Sequence, residues 1–141
     1  MAKTTTELLK ELKRQSCSLP DYLSNHKDSF VNEDIKKFWE DLIESKKYSK
    51  SNIINKSDFS YCYFYDVING RKMPTKDKVV RLALAMKMTV DECQQALKVS
   101  GRSALYPKVR RDSVLIYAIE KKMTIMQCND LLEKYGEEEL K

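Results

Sequence analysis

Glycine, proline and histidine are scarce in this chain. Its 141 residues include three glycines, three prolines and one histidine, His26. So few turn-forming residues argue against long loops and sheets. A histidine-based nucleophile would have to use His26, which lies in a polar Asn-His-Lys stretch, and there is no Gly-rich phosphate loop. We therefore do not expect an enzyme.

Long apolar runs are also absent, and no secretory signal is expected. No stretch approaches the roughly 20 apolar residues that span a bilayer. The opening Met-Ala-Lys-Thr-Thr-Thr leads into an amphipathic pattern and does not read as a signal peptide. With 42% hydrophobic and 33% charged residues, the chain is predicted to be a cytoplasmic, all-α protein that does not contact a membrane.

The four cysteines do not form a metal-binding pattern. They are Cys17, Cys62, Cys93 and Cys128, and no two have the Cys-x-x-Cys spacing. Neither a zinc site nor any other cofactor is expected. Cys93 and Cys128 lie on apolar helix faces and are predicted core residues. Cys62 is predicted to be exposed, as an ordinary reduced thiol or as a redox sensor.

Amphipathic helices are predicted in the first third of the chain. Residues 5–14 carry leucines on one face, and a short helix is expected to begin at Ser18. The clearest pattern begins after Asn32, the expected N-cap. Its apolar positions recur at helical spacing: Ile35, Phe38, Trp39, Leu42 and Ile43. Trp39, the sole tryptophan, is predicted to anchor the core.

Residues 48–74 are predicted to form two short helices joined by a tight turn. Ser49 and Ser60 can cap them, because a serine hydroxyl accepts a hydrogen bond from an unpaired backbone N–H. Phe59 is expected to pin the turn, and Asn69-Gly70 to end the second helix. The second helix should bury three side chains: Phe64, Val67 and Ile68. So short a pair buries little by itself, which suggests that it presents one helix to a partner.

The basic excess of the chain is concentrated around this pair. Between residues 46 and 81 there are nine basic and three acidic residues, a net charge of +6, against +5 for the whole chain. The basic positions are Lys46, Lys47, Lys50, Lys56, Arg71, Lys72, Lys76, Lys78 and Arg81. Such a cluster around an exposed helix is what phosphate neutralisation with counterion release requires.

Three stretches of this segment carry a family resemblance: Tyr-Ser-Lys-Ser (48–51), Ser-Asp-Phe-Ser (57–60) and Asn-Gly-Arg-Lys-Met-Pro (69–74). They resemble the lambda-repressor-like, or Xre-type, helix-turn-helix family of bacterial transcriptional regulators. In that family the second helix enters the DNA major groove. The resemblance implies a regulator of transcription that binds double-stranded DNA, commonly as a homodimer. Its bracing helix would span 49–57 and its recognition helix 60–69.

Carried over by position, the resemblance implies eight DNA-contacting residues. They are Lys50, Ser60, Tyr61, Cys62, Tyr65, Asn69, Arg71 and Lys72. Tyr61, Cys62 and Tyr65 would face bases, and Lys50 would touch a base or a phosphate. Asn69, Arg71 and Lys72 would face the DNA backbone. About six phosphate contacts would give a log–log salt slope near −5.

An aromatic run suggests a second hypothesis, that of a protein-interaction adaptor on a helix-turn-helix scaffold with reduced or no DNA binding. The run is Phe59, Tyr61, Tyr63, Phe64 and Tyr65, followed by Asp66. Tyrosine is a weak reader of base edges, and Asp66 would be repelled by phosphate. An aromatic, lysine-poor surface suits a protein partner.

The C-terminal half contains an internal duplication. Residues 76–101 and 111–136 align at a shift of 35, with nine identical positions. Each copy is predicted to be a helix, a tight turn and a second helix ended by glycine. Thr89-x-x-Glu92 and Thr124-x-x-Gln127 are capping boxes. A period in the thirties is typical of stacked helical hairpins, here appended to the helix-turn-helix bundle.

The predicted organisation has three parts. A helical extension covers 1–31, the helix-turn-helix domain covers 32–101, and a C-terminal hairpin packed on it covers 102–141 and ends in an acidic tail that is expected to fray. The join between the copies adds Arg102, Lys108, Arg110 and Arg111. These either extend the basic surface or form a solvated loop. Apolar surface left on the hairpins is either core or a dimer interface.

Overall fold

The computed structural model describes residues 5–13, 19–20 and 31–141, without the side chains of 31–33. Over these residues the protein is all-α, as predicted, with eight helices and no strand. None of the eight helices is long and apolar enough to cross a membrane. The helices are α1 (Thr5–Leu12), α2 (Val31–Lys46), α3 (Lys50–Ser57), α4 (Tyr61–Ile68), α5 (Lys76–Ala85), α6 (Val90–Val99), α7 (Arg110–Glu120) and α8 (Ile125–Lys134).

Some predictions fall on residues outside these ranges. Cys17, His26 and most of the short helix expected from Ser18 lie there. The predicted N-cap at Asn32 is wrong, because α2 already begins at Val31. The first N–H groups of a helix have no intrahelical partner, so a helix gains or loses a terminal residue at little cost.

α2 buries one face through the predicted positions. Four of these side chains are only 0–9% exposed: Ile35, Trp39, Leu42 and Ile43. Phe38 packs edge-on against Trp39, with ring centroids 5.3 Å apart. α2 contacts α4, so the buried face of α2, which includes Trp39, packs against the helix pair.

The helix pair is held by a small set of buried side chains. In α4, Phe64, Val67 and Ile68 are at most 1% exposed, as their spacing predicted. Ile53 of α3 is fully buried, and Phe59 in the turn is 7% exposed. Since α3 packs on α5 while α4 packs on α2, the pair is fastened to both of its neighbours.

Both copies of the duplication fold into the predicted hairpins. The first is α5–α6 and the second is α7–α8, with capping boxes at Thr89 and Thr124. In the two turns, Lys87 and Lys122 adopt the left-handed φ values of 52° and 57°. The turns therefore share one backbone geometry, which accounts for the recurrence of the same residues in them.

The two hairpins exchange equivalent contacts across a pseudo-two-fold axis. Lys76 corresponds to Arg111 in the duplication, and Asp77 corresponds to Asp112. Lys76 Nζ lies 2.9 Å from Asp112 Oδ2, while Arg111 lies 2.9 and 3.0 Å from the two carboxylate oxygens of Asp77. Each copy thus uses the same two positions to contact the other copy, which is the pattern of an isologous interface. The two predicted hairpins therefore face each other and meet through equivalent residues.

A second exchange joins the turns. Lys87 Nζ donates hydrogen bonds to the carbonyl oxygens of Lys122 and Met123, at 2.8 and 3.3 Å. Lys122 Nζ donates to those of Lys87 and Met88, both at 3.0 Å. A hydrogen bond from an ammonium group to a carbonyl oxygen is charge-assisted and stronger than one between neutral groups. The duplicated lysines, Lys87 and Lys122, therefore each hold the turn of the other hairpin.

The acidic tail was expected to fray, but hydrogen bonds hold its backbone against the rest of the protein. Leu140 is 5% exposed, and its N–H donates to Asn129 Oδ1 at 2.9 Å. Arg111 Nε donates to the carbonyl oxygen of Glu138 at 3.0 Å, and Arg81 donates to that of Leu140 at 3.4 Å. These arginines hold the backbone of the tail. The acidic composition alone could not indicate such contacts.

Removing Asp112 should destabilise the protein more than removing Asp77. Asp112 is 5% exposed and accepts hydrogen bonds from Lys76 Nζ and from the Tyr106 N–H. Asp112→Ala should lower the free energy of unfolding by about 2–4 kcal/mol, and Asp77→Ala by about 1–2 kcal/mol. Urea denaturation measures both, with Asp130→Ala at an exposed site as the control, expected below about 0.5 kcal/mol. Equal losses in all three would contradict this.

The Asp77 carboxylate should also make stability depend on pH. Burial alone raises its pKa, but hydrogen bonds from Arg111 and from the Lys141 N–H outweigh burial, so the pKa lies below the ordinary value. A depressed folded pKa stabilises the protein above the unfolded pKa of about 3.9, and this contribution is lost as pH falls through the folded pKa. Thermal unfolding should show Asp77→Asn losing less stability than the parent below about pH 4. Parallel profiles would rule this out.

Candidate nucleic-acid interface

Capping and one left-handed residue set the turn between α3 and α4. Ser49 and Ser60 cap the helices as predicted, accepting hydrogen bonds from the N–H groups of Asn52 and Tyr63 at 3.1 and 3.2 Å. Asp58 ends α3 with a left-handed φ of 59°, which aspartate tolerates better than most residues. The local sequence therefore specifies where each helix begins and where the chain turns.

The outer face of α4 is aromatic. Tyr61 is 66% exposed, Cys62 is exposed and Tyr65 is half-buried, so all three predicted base-facing residues reach the surface. The Tyr61 and Tyr65 ring centroids lie 4.6 Å apart. The hydrogen bond between these side chains, followed by the charge of Tyr65, raises the pKa of Tyr61. Tyr61 therefore stays neutral and able to hydrogen-bond at physiological pH.

Lys50 connects the bracing helix to this face. Its Nζ lies 5.6 Å from the centroid of the Tyr65 ring and 3.2 Å from Glu40 Oε1 on α2. The structure thus brings Lys50 next to α4. The ion pair with Glu40 was not predicted, because the two residues are on different helices. Both side chains are well exposed, and such pairs contribute at most about 1 kcal/mol, so a phosphate can compete for Lys50.

Asp66 organises the exit from α4. Its Oδ1 accepts a hydrogen bond from Arg71 Nε at 2.9 Å, and its Oδ2 lies 3.5 Å from Lys72 Nζ. Its carbonyl oxygen also accepts hydrogen bonds from the N–H groups of the same two residues, at 2.8 and 3.1 Å. Gly70 permits this turn with a φ of 77°, which most L residues avoid.

The Asp66 carboxylate is not a bare negative charge on the surface. The hydrogen bond from Arg71, together with the charges of Arg71 and Lys72, lowers its pKa despite an opposing effect of burial. Asp66 therefore holds two cations beside α4.

Tyr63 gathers a further cation that sequence reasoning did not assign to the site. It lies edge-to-face on Phe59, with centroids 5.1 Å apart. The ammonium groups of Lys72 and Lys78 lie 5.9 and 6.0 Å from its ring centroid, which is within reach of a cation–π attraction. The only sequence signal for Lys78 was its place in the basic cluster. We define the cationic rim as Lys50, Arg71, Lys72 and Lys78.

Ion pairs with residues outside the segment lower the net charge of the basic cluster in the folded protein. Three of its lysines pair with carboxylates from outside the segment: Lys46 with Glu92, Lys50 with Glu40 and Lys76 with Asp112. Asp77 of the segment pairs in turn with Arg111 from outside it. With these four partners included, ten basic residues face six acidic ones, and the net charge falls from +6 to +4. Arg81 is 9% exposed and donates to the Ser57 carbonyl. It therefore belongs to the core and not to the surface.

Ser60 and Asn69 mark the two ends of α4. Asn69 is half-buried and is the C-cap residue, and its N–H donates to the Tyr65 carbonyl at 3.1 Å. Its φ of −89° is not left-handed, so only Gly70 of the Asn-Gly pair uses that conformation. Both predicted site residues thus have defined structural roles next to the exposed face.

The basic residues between the hairpins do not extend this surface as a group. Three arginines make hydrogen bonds to other segments: Arg102 donates to the Pro74 carbonyl, Arg110 to the Tyr135 carbonyl and Arg111 to Asp77. Lys108 is exposed. The arginines of the join therefore act mainly as braces between segments that are distant in sequence.

The buried cysteines are unreactive, and no metal centre is visible in the described part of the chain. Cys93 and Cys128 are fully buried, as predicted, and burial raises the pKa of their thiols to about 12 and about 11. They therefore remain protonated at physiological pH. Across residues 5–13, 19–20 and 31–141, no group of three or more His, Cys, Asp or Glu side chains could hold a metal ion.

Comparison with protein-family models, curated proteins and solved structures found no significant match to this chain. The likeness to Xre-type regulators therefore rests on the three stretches 48–51, 57–60 and 69–74, and on the capped helix pair that they form.

Ser60→Ala should weaken the helix pair without altering its aromatic face. The substitution removes the hydrogen bond to the Tyr63 N–H, which should lower the free energy of unfolding by about 1 kcal/mol. Ser51→Ala, at an exposed helical position, should change it by less than about 0.5 kcal/mol. Chemical denaturation measures both values. Indistinguishable losses would show that the cap does not contribute.

Proposed function

We propose that this protein is a transcriptional regulator of the Xre-type, lambda-repressor-like class, which binds double-stranded DNA through α3 and α4. One observation carries the proposal. α4 buries Phe64, Val67 and Ile68 and turns its opposite face to solvent beside the cationic rim. The preceding helix braces it, as the first helix of a helix-turn-helix does.

In this proposal α4 lies in the major groove and the cationic rim binds phosphates. A helix with its side chains is about 10–12 Å in diameter, which fits the major-groove width of about 12 Å. Arg71 and Lys72 follow its C-terminal end, and Lys50 lies beside Tyr65. We expect a homodimer with half-sites about 34 Å apart, as is common for this class.

The exposed residues of α4 favour affinity over sequence discrimination. None of the eight residues of α4 is Asn, Gln or Arg, the side chains that form bidentate contacts with bases. Tyr61 and Tyr65 can pack on thymine methyl groups, and their hydroxyls can form single hydrogen bonds. Most of the binding free energy should therefore come from phosphate contacts.

DNA binding should be strongly salt-dependent and should need the exit cations. Four phosphate contacts from the cationic rim predict a log–log slope of affinity against salt of about −4. Arg71→Gln with Lys72→Gln should reduce the slope by about 2 and weaken binding roughly tenfold. Fluorescence anisotropy with a labelled duplex, titrated at increasing salt, measures both quantities.

The matched control is Lys98→Gln with Lys108→Gln, which removes the same charge from two exposed positions outside the proposed interface. It should leave the slope unchanged. An equal loss in both double variants would indicate non-specific attraction to the whole chain. Absence of duplex binding below about 100 μM at low salt, weaker than ordinary non-specific affinity, would exclude the proposal.

A protein-interaction adaptor is the second candidate, favoured by the paired tyrosines of α4. Tyr61 is 66% exposed and its ring lies 4.6 Å from that of Tyr65, and exposed aromatic pairs are typical of interface anchors. The same variants separate the two functions. Tyr65→Ala should abolish capture of a protein partner, whereas Arg71→Gln with Lys72→Gln should spare it. For DNA binding the expected order is reversed, with Arg71→Gln and Lys72→Gln causing a larger loss of affinity than Tyr65→Ala.

A further inference from the structure

A cavity of about 540 Å³ lies where α3, the end of α5 and the start of α8 meet. Two lysines, one threonine and four apolar residues line it: Lys56, Lys87, Thr124, Leu84, Ala85, Ile125 and Met126. Leu84 and Ala85 are buried and form its floor, while Met126 is 75% exposed at its edge. We call this cavity the basic corner. It is separate from the cationic rim.

The described residues that line the basic corner include two cations and no carboxylate. Lys87 Nζ uses its hydrogen bonds on the carbonyl oxygens of Lys122 and Met123, at 2.8 and 3.3 Å. The Lys56 ammonium lies 5.1 Å from the Tyr48 ring centroid. Burial and then the positive charges of Lys56 and Lys122 lower the pKa of Lys87. An anion placed between Lys56 and Lys87 would relieve this repulsion.

Carboxylates occur in an adjoining cavity, which shares Lys56, Ile125 and Met126 with the basic corner and is also lined by Asp58, Asp130 and Glu139. Asp58 lies 3.5 Å from Arg81. Among the described residues, these acids do not line the basic corner, whose lining beside the two lysines is mainly apolar.

The pseudo-two-fold axis supplies an internal comparison for this site. The equivalent corner joins the end of α7 to the start of α6, where Lys122 corresponds to Lys87. At that corner Glu120 stands in place of Ala85, and Asp91 stands in place of Met126. The same fold thus carries two acids at one corner and two apolar residues at the other. The basic corner is the one without its own negative charge.

We propose that the basic corner binds a small amphiphilic anion, an organic acid on a short apolar chain. The acid group lies between the two lysines, and the chain packs on the apolar walls. Both parts are needed, because a surface charge pair strengthens binding by at most about fivefold and each buried CH₂ group by about fourfold.

Octanoate is the probe, followed by amide and methyl NMR shifts of the full chain without DNA. It should shift Lys56, Leu84, Ile125 and Met126 in a saturable manner. Acetate lacks the chain and octanol lacks the charge, so both should bind at least about tenfold more weakly. Because no DNA is present, the result does not depend on whether α4 binds a duplex.

Two substitutions and a mirrored control locate the site. Lys56→Gln should weaken octanoate binding by about threefold to tenfold, and Met126→Asp, which installs the acid of the equivalent corner, by about tenfold or more. Asp91→Met makes the converse change at the other corner and should leave the affinity within about twofold. Thermal unfolding verifies that each variant is folded.

Three results would overturn the proposal. The first is octanoate shifts that do not include the residues of the basic corner. The second is equal affinity for octanol or acetate, which would reduce the site to an apolar patch or a surface charge. The third is an unchanged affinity in folded Lys56→Gln and Met126→Asp.

Discussion

The exchange of ion pairs between the two hairpins is the constraint on which the rest of the structure depends. The pairs are Arg111–Asp77 and Lys76–Asp112, and they join the first turns of α5 and α7. α5 in turn packs against α3, and its Arg81 holds the carbonyl oxygens of Ser57 and Leu140. The position of the helix pair and that of the C-terminal tail are therefore set by the same helix.

Positive charge serves two purposes in this chain. Buried or half-buried cations such as Arg81, Arg111 and Lys87 donate to backbone carbonyl oxygens and act as braces between distant segments. Exposed cations, above all Arg71 and Lys72, are gathered around α4 by a carboxylate and by aromatic rings. The net charge of the chain is thus a poor measure of what a polyanion would meet. The location of each cation decides that.

Local features of this fold were predictable from sequence because their causes lie within a few residues. Ser49 and Ser60 cap helices through hydrogen bonds to N–H groups three residues ahead, and the spacing of Phe64, Val67 and Ile68 indicates one buried face. The reciprocal arrangement of the hairpins was not predictable, because stacked and facing copies have the same repeat. The same holds for Glu40, whose pairing with Lys50 joins two helices.

The sequence by itself determined the helices, their caps, the duplication and the exposed aromatic face, since these follow from hydrogen bonds and side-chain periodicity along one stretch of chain. Only the tertiary structure decided which lysines and arginines remain at the surface and which become braces, and that the tail is held rather than frayed. The reason is physical. A charge acts on whatever lies within a few ångströms of it, and residues such as Lys46 and Glu92 become neighbours only after folding.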